Sequence, residues 1–236
     1  MQMSCVTCPN RERGFCGALS SDLVEDIHPS QRPNSRRTRI AQLGESLAHR
    51  GDASPDIFLL CSGWAFRYIP LGNGRRQILR FLLPGDLFSV VNVFDSQFQS
   101  SFMALTDVQI SCFQRSEIRS RSATSRALQV AIEDSCKEEH ALANELLAVL
   151  GLRSAPERVA YLFLHLTRRL KVRSVIRDDR YRFPLRQRDI AEAVGLTPVH
   201  VNRILGGFRD QGICVLSDGV LTLLQPDELE RMGALK

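Results

Sequence analysis

Three cysteines lie close together near the N-terminus, in the order Cys5-x2-Cys8-x7-Cys16. Thiolates are soft ligands that suit iron–sulfur clusters, zinc or copper(I). Two cysteines separated by two residues can hold one metal centre from a tight turn, and the third can close round it after a short loop. Arg11 and Arg13 lie in that loop and could offset the thiolate charge. The alternative is a frayed segment with incidental cysteines, although exposed thiols in such a segment would oxidise.

Length and composition limit the class of protein. The chain has 236 residues, enough for two domains, and an ordinary apolar fraction. Its formal net charge of +5 is compatible with a polyanionic partner without indicating one by itself. No apolar run approaches the length of a membrane span, and the N-terminus lacks a signal sequence. We therefore expect a cytoplasmic protein without membrane association, whose seven cysteines are thiols or metal ligands rather than a disulfide framework.

A second informative pattern covers residues 187–206. Ala191 is small where two helices must cross closely, and Gly195 follows four residues later, where the turn needs a left-handed backbone. Val201 and Ile204 then face the core, while Thr197 can cap the second helix before Pro198 in its first turn. The spacing predicts a helix-turn-helix whose second helix enters the DNA major groove. The alternative is an ordinary helical hairpin.

The elements before this pattern indicate a sheet-rich domain and a long helix. Short apolar stretches within residues 57–83 and 103–113 are separated by Gly and Asn turns, which favours an antiparallel barrel or roll. From about 125 to 151 the apolar residues recur at the spacing of an amphipathic helix. The helix stripe could pack on its own domain or on a second copy, and we favour the second because helix-turn-helix proteins usually bind DNA as two-fold dimers. The stripe consists of Leu128, Ile132, Cys136, Ala143, Leu146, Leu147 and Leu150.

The C-terminal region is typical of a winged helix. A further helix begins near Ser154, a strand is predicted at 181–185, and a hairpin is predicted around Asp218-Gly219 after the helix-turn-helix. The predicted class is α+β, with an N-terminal antiparallel β-roll, a long dimerisation helix and a C-terminal winged helix-turn-helix. The predicted parts are a cysteine-rich segment (1–20), the roll (21–124), the dimerisation helix (125–152) and the DNA-binding domain (153–236).

A β-roll, a long helix and a winged helix in this order resemble the Crp/Fnr family of bacterial transcription regulators. The anchors of the resemblance are Gly63, the Pro84-Gly85-Asp86 turn, Ala104-Leu105-Thr106 and residues 187–206. The resemblance implies a homodimer that binds a palindromic double-stranded operator and contacts RNA polymerase. It also implies that a signal in the roll rearranges the dimer helices and so sets the spacing of the recognition helices.

Cyclic nucleotide is not the expected signal. In cyclic-nucleotide-binding members, the segment after the Pro-Gly-Asp turn supplies a Glu for the ribose and an Arg for the cyclic phosphate. Here residues 87–94 contain no Glu, and no Arg occurs between Arg80 and Arg115. A buried phosphate needs such a partner or a set of backbone donors.

The N-terminal cysteines resemble the signature of the Fnr branch, through Cys5, Cys8, Arg11, Cys16 and Leu19. That resemblance implies an oxygen-labile [4Fe–4S] cluster whose fourth cysteine comes from the roll, and Cys112 matches that position best. The alternatives are the same regulator triggered by zinc, thiol oxidation or an unknown small molecule in the roll. We do not expect an enzyme, because no cysteine has a His or acid arranged for nucleophilic catalysis.

The second helix departs from the Fnr pattern. Val199 stands where family members carry a Glu that accepts from cytosine, and it could contact a thymine methyl instead. Arg203 matches the family arginine that reads guanine, Asn202 could read adenine or a phosphate, and His200 could contact either. The target is therefore expected to be a palindrome other than a standard Crp or Fnr site. The predicted DNA-binding residues are Gln187, Thr197, Pro198, Val199, His200, Asn202, Arg203 and Arg209.

Overall fold

A computed structural model describes residues 12–24, 37–173 and 179–235. Its contacts divide the chain into two compact units. The first contains the residues up to Ile69 together with Arg80–Ala141. The second contains Pro70–Leu79 and the residues from Leu142 onward. Among the described residues, no helix combines the length and the apolar character that crossing a membrane requires.

The N-terminal part of the chain begins with helix α1 (Gly14–Val24) and continues into the two antiparallel sheets of the roll. One sheet has the strand order β1-β7-β3 and the other the order β2-β6-β4-β5. A short 3-10 helix (Val90–Val93) precedes β6, and α2 (Arg115–Ser122) follows β7. The strands are β1 (Arg37–Ala41), β2 (Ser46–Ala48), β3 (Asp56–Ser62), β4 (Ala65–Pro70), β5 (Arg76–Leu82), β6 (Ser101–Ala104) and β7 (Val108–Gln114).

Two apolar clusters stabilise this roll. The inner cluster includes Leu60, Phe88, Phe102 and Cys112. The outer cluster covers the other face of β3 and β7 and includes Ile57, Leu59 and Phe113 together with Phe15 of α1. Period-two alternation along both strands produces the two faces, because successive side chains of a strand point in opposite directions.

Gly63 enables the tight connection between β3 and β4. Its φ is +80°, and a Cβ built there would lie 2.1 Å from the carbonyl oxygen of Asp107. No other residue type fits that space, which explains why this anchor of the sequence pattern is glycine.

The long helix is α3 (Arg126–Leu152), as the apolar period predicts. Its stripe is not a single dimer face, however. Leu128 and Ile132 are buried in the outer cluster of their own unit, whereas the side chain of Leu147 is 72% exposed. The first part of α3 therefore satisfies the intramolecular alternative, and the exposed apolar surface lies further along the helix.

The second unit contains α4 (Ala155–Arg173), α5 (Gln187–Val194), α6 (Pro198–Asp210) and α7 (Pro226–Gly233). Its sheet has the order β8-β10-β9 and comprises β8 (Arg180–Arg182), β9 (Cys214–Ser217) and β10 (Val220–Leu223). The predicted hairpin around Asp218-Gly219 is confirmed as β9–β10. Fully buried Phe163, Tyr181 and Phe183 lie in its core.

The predicted architecture is confirmed: an N-terminal antiparallel roll, a long helix and a C-terminal helix-turn-helix with a wing. The compact units do not follow the four predicted segments, since their division falls within α3, between Ala141 and Leu142. Pro70–Leu79, predicted as part of the roll, belongs to the second unit by contact.

Candidate DNA-binding surface and thiol site

Local signals fix the geometry of the α5-turn-α6 element. Gly195 ends α5 in the left-handed conformation, with φ 68° and ψ 36°. The Thr197 hydroxyl accepts a hydrogen bond from the backbone N–H of His200 at 3.2 Å, and Pro198 occupies the first turn of α6. Val201 and Ile204 are buried, so the opposite face of α6 is the one presented to solvent.

All eight residues predicted to contact DNA are exposed, and six of them lie at the start of α6 or just before it. Val199 is 72% exposed, so its side chain can reach a thymine methyl as the sequence predicts. Arg209 lies near the C-terminal end of α6. The full set is Gln187, Thr197, Pro198, Val199, His200, Asn202, Arg203 and Arg209.

One interaction within this surface is absent from the sequence prediction. The Gln187 side-chain amide donates to Oδ1 of Asn202 at 2.9 Å, joining the start of α5 to the recognition helix. The Asn202 Nδ2 therefore points its donors away from Gln187, while Oδ1 keeps one lone pair available. The contact pre-orients Asn202 for donating to a base acceptor or a phosphate oxygen.

The first helix of the pair is held by a buried carboxylate. Asp189 accepts from the backbone N–H of Arg186 at 3.0 Å, which caps α5. Burial raises the pKa of Asp189, although the hydrogen bond from Arg186 and the charge of Arg76 oppose that rise. Arg76 also donates to Glu192, and the Gln77 amide donates to the carbonyl of Ala193 at 3.0 Å. Sequence reasoning missed these contacts, because nothing around the Asn73-Gly74 turn signals a partner on α5.

The described cysteines occupy different surroundings. Cys16 and Cys61 are half-buried, and both pack on the outer cluster. Cys112 is buried and packs on the inner cluster instead, across the sheet from them. Cys136 is exposed on α3, and Cys214 is buried in the wing. The predicted ligands Cys5 and Cys8 lie outside the described residues, and among the described ones no three His, Cys, Asp or Glu side chains gather as a metal site.

Burial affects the thiol chemistry of two of these residues directly. It raises the pKa of the Cys112 thiol, and the neighbouring Asp56 carboxylate adds to that rise. It raises the pKa of Cys214 to about 12. In both positions burial therefore favours the neutral thiol in the metal-free protein.

Groups in the roll that would attract an anion are already bonded to carboxylates of α3. The backbone N–H of Val90 donates to Oε1 of Glu139 at 2.8 Å, and Arg67 donates to Oε2 at 2.6 Å. Arg80, itself buried, donates to Glu138 at 2.8 Å. An anionic ligand binding there would have to displace these carboxylates.

Comparison with protein families matches both parts of the chain. Residues 38–125 match the model described as a cyclic nucleotide-binding domain, and residues 157–232 match the model of the Crp-like helix-turn-helix domain. The nitrogen fixation regulation protein FixK of Rhizobium meliloti is 26% identical over 212 residues, covering 89% of this chain and 93% of the relative. The transcriptional activator protein FnrL of Cereibacter sphaeroides is 25% identical over 215 residues, covering 90% and 84% respectively.

Solved structures show the same fold. FixK2 from Bradyrhizobium japonicum superposes with a TM-score of 0.76 at 23% identity, covering 85% of this chain and 98% of that structure. A mutant of CooA from Carboxydothermus hydrogenoformans gives a TM-score of 0.68 at 17% identity, covering 84% and 88%.

Proposed function

Because this chain belongs to the Crp/Fnr family of DNA-binding transcription regulators, we propose that it senses oxygen or redox state through a [4Fe–4S] cluster. The observation that carries the proposal is the Cys5-x2-Cys8-x7-Cys16 spacing, whose last member lies on the outer face of the roll. Thiolates at such spacing suit iron–sulfur ligation, and a bound cluster would supply the group that reacts with oxygen.

The donor set fits the cluster in part. Cys16 places a half-buried thiol on the roll surface, where a protein thiolate can bind a centre shielded from bulk water. Cys5 and Cys8 come earlier on the chain by eleven and eight residues. A [4Fe–4S] cluster takes four cysteine ligands, and the resemblance to the Fnr branch implies that the roll contributes the fourth.

We propose that α3 transmits a change at the thiol site to the DNA-binding helices. Its first part packs on the same outer cluster as Cys16, through Leu128, Ala131 and Ile132. A change at the thiol site therefore acts on residues that position the long helix. We propose that α3 forms the contact of a homodimer, and that its rearrangement sets the separation of the two α6 helices on a palindromic operator. RNA polymerase is the expected partner at promoters.

A second candidate is the same regulator with a different trigger, such as zinc, thiol oxidation or a small molecule in the roll. Cys136 is the observation that favours it, since this exposed thiol on α3 is open to oxidants. Burial raises the pKa of Cys136, as do Glu139 and Glu133, which makes its thiolate scarce at neutral pH and weakens this candidate.

The test is anaerobic purification followed by an absorption spectrum and assays for iron, sulfide and zinc. The cluster proposal predicts a brown protein with about four iron and four sulfide per protomer that bleaches in air. Colourless protein with bound zinc supports the second candidate and contradicts the first.

A further inference from the structure

The sheet formed by β1, β7 and β3 separates the cysteines of the roll into two groups. Along β7, Phe113 lies in the outer cluster, whereas Ile110 and Cys112 lie in the inner one. Cys112 is paired in register with Phe58, which also packs on the inner cluster. The Cys112 side chain therefore points into the roll, away from the face that α1 covers.

Cys61 takes the opposite position. It packs on the outer cluster, as does Cys16 of α1. Its Sγ lies 3.0 Å from the hydroxyl oxygen of Ser111, which is fully buried. Ser111 is paired in register with Leu59, a member of the outer cluster, so this contact holds the Cys61 thiol on the same face as Cys16.

Period-two alternation along β3 explains this placement, because Ile57 and Leu59 belong to the outer cluster and Cys61 is the next residue on that face. Leu60 is opposite Ile110 and Ser62 is opposite Gln109, so Cys61 is an additional residue in the ladder. The ladder changes register at this residue, and such bulges are often found beside a functional site. Here the bulge occurs at the residue that carries the thiol.

We propose that Cys61, rather than Cys112, is the fourth protein ligand of the metal centre. This inference rests on the proposed function, whose three other ligands are Cys5, Cys8 and Cys16. Of the roll cysteines, Cys61 shares the face of α1 and keeps partial exposure, while Cys112 is buried in the inner cluster on the opposite face. A ligand must face the centre it binds, and the sheet lies between Cys112 and that centre. The Ser111 hydroxyl can donate to the Cys61 thiolate as a supporting hydrogen bond.

Iron content after anaerobic reconstitution with ferrous iron and sulfide tests the assignment. Cys61→Ser keeps a polar atom beside Ser111, and Cys112→Ala suits its apolar surroundings. We expect Cys61→Ser to lose nearly all cluster iron and the associated visible absorption. Cys112→Ala and the matched buried control Cys214→Ala should retain about the wild-type amount. Circular dichroism melting shows whether each variant is folded, and Cys112→Ser replaces the Ala variant if that one is not.

The opposite pattern, full iron in Cys61→Ser and none in folded Cys112→Ala, would overturn the assignment while leaving the cluster proposal intact. So would loss of iron in Cys136→Ser with retention in Cys61→Ser. A wild-type protein that takes up no iron would refute the proposed function itself.

A cross-linking measurement tests the shared face without iron. In the full chain carrying Cys5→Ser and Cys8→Ser, we expect dibromobimane under anaerobic conditions to link Cys16 to Cys61, as read by peptide mass spectrometry. A link from Cys16 to Cys112 would contradict the geometry. If Cys16 is linked to Cys61 but the wild-type protein binds no iron, the two thiols share one face as proposed and the cluster proposal is refuted.

Discussion

Leu147 provides a quantitative test of the α3 dimer contact. Its side chain is 72% exposed within the protomer, although the residue is one of the most apolar types. Full burial of a leucine contributes about 1.5–3 kcal/mol, so covering the exposed part contributes about 1–2 kcal/mol per protomer. In a two-fold interface each partner contributes once, which gives about 2–4 kcal/mol per dimer.

The substitution Leu147→Glu removes this contribution and adds a charge that would be buried without a partner. We expect the dimer dissociation constant to rise at least about 30- to 1,000-fold, the equivalent of about 2–4 kcal/mol. Sedimentation velocity over a range of concentrations measures the change. The protomer should unfold at an unchanged temperature, because the side chain is exposed.

Ala141→Glu is the matched control. Ala141 is also exposed on α3 and lies six positions before Leu147, which places it about 120° round the helix axis from that residue. This variant should remain dimeric. A dimer of unchanged affinity in Leu147→Glu would show that the interface lies elsewhere and would refute the role assigned to α3.

Three further predictions concern DNA reading, the roll and pH. Arg203→Ala should cost about 1–3 kcal/mol of binding free energy on the cognate palindrome and relax the preference at one base pair per half-site. Arg209→Ala should weaken binding to cognate and scrambled duplexes alike. It should also lower the slope of log affinity against log salt by roughly one for each phosphate that Arg209 neutralises. Equal weakening of both duplexes by Arg203→Ala in titrations would remove its base-reading role. Glu139→Ala leaves the largely buried Arg67 without its carboxylate and should destabilise the first unit by about 3–5 kcal/mol in urea unfolding. Glu138→Ala should cost less, because the buried Arg80 keeps Asp86 as a second carboxylate partner. Equal costs would show that the remaining carboxylate partner of Arg80 does not decide the effect. Hydrogen bonds from Ser154 and Arg153 lower the pKa of Glu157 from 4.5 to about 2, so its contribution is complete above pH 4.5 and is lost as pH falls through about 2. Glu157→Gln should therefore lower stability by about 0.5–1 kcal/mol at pH 7 and have no effect near pH 2, and a pH-independent difference in melting would contradict this linkage.

The recognition element could be predicted from sequence because its determinants are local. Gly195 has the left-handed backbone that its position requires, and Thr197 accepts the capping hydrogen bond expected of it. Each of these features depends on residues within four positions along the chain. Such short-range signals determine the local backbone conformation.

Features that depend on strand register or tertiary packing could not be predicted. The helical period of α3 identifies Leu128, Ile132 and Leu147 as one apolar stripe, but it does not say which neighbour covers each residue. The contact of the Cys61 thiol with the Ser111 hydroxyl depends on the pairing of two strands that lie far apart in the chain. The contact of Arg76 with Glu192 joins positions far apart in the chain.

In the proposed mechanism, oxygen acts on DNA binding through the cysteine-bound cluster. The most direct measurement records operator affinity and visible absorption of one anaerobic sample before and after oxygen is admitted. We predict that affinity and absorption change together in the wild-type protein and that Cys16→Ala shows neither change. Operator affinity that stays constant while the absorption bleaches, or that responds to oxygen equally in Cys16→Ala, would contradict the account.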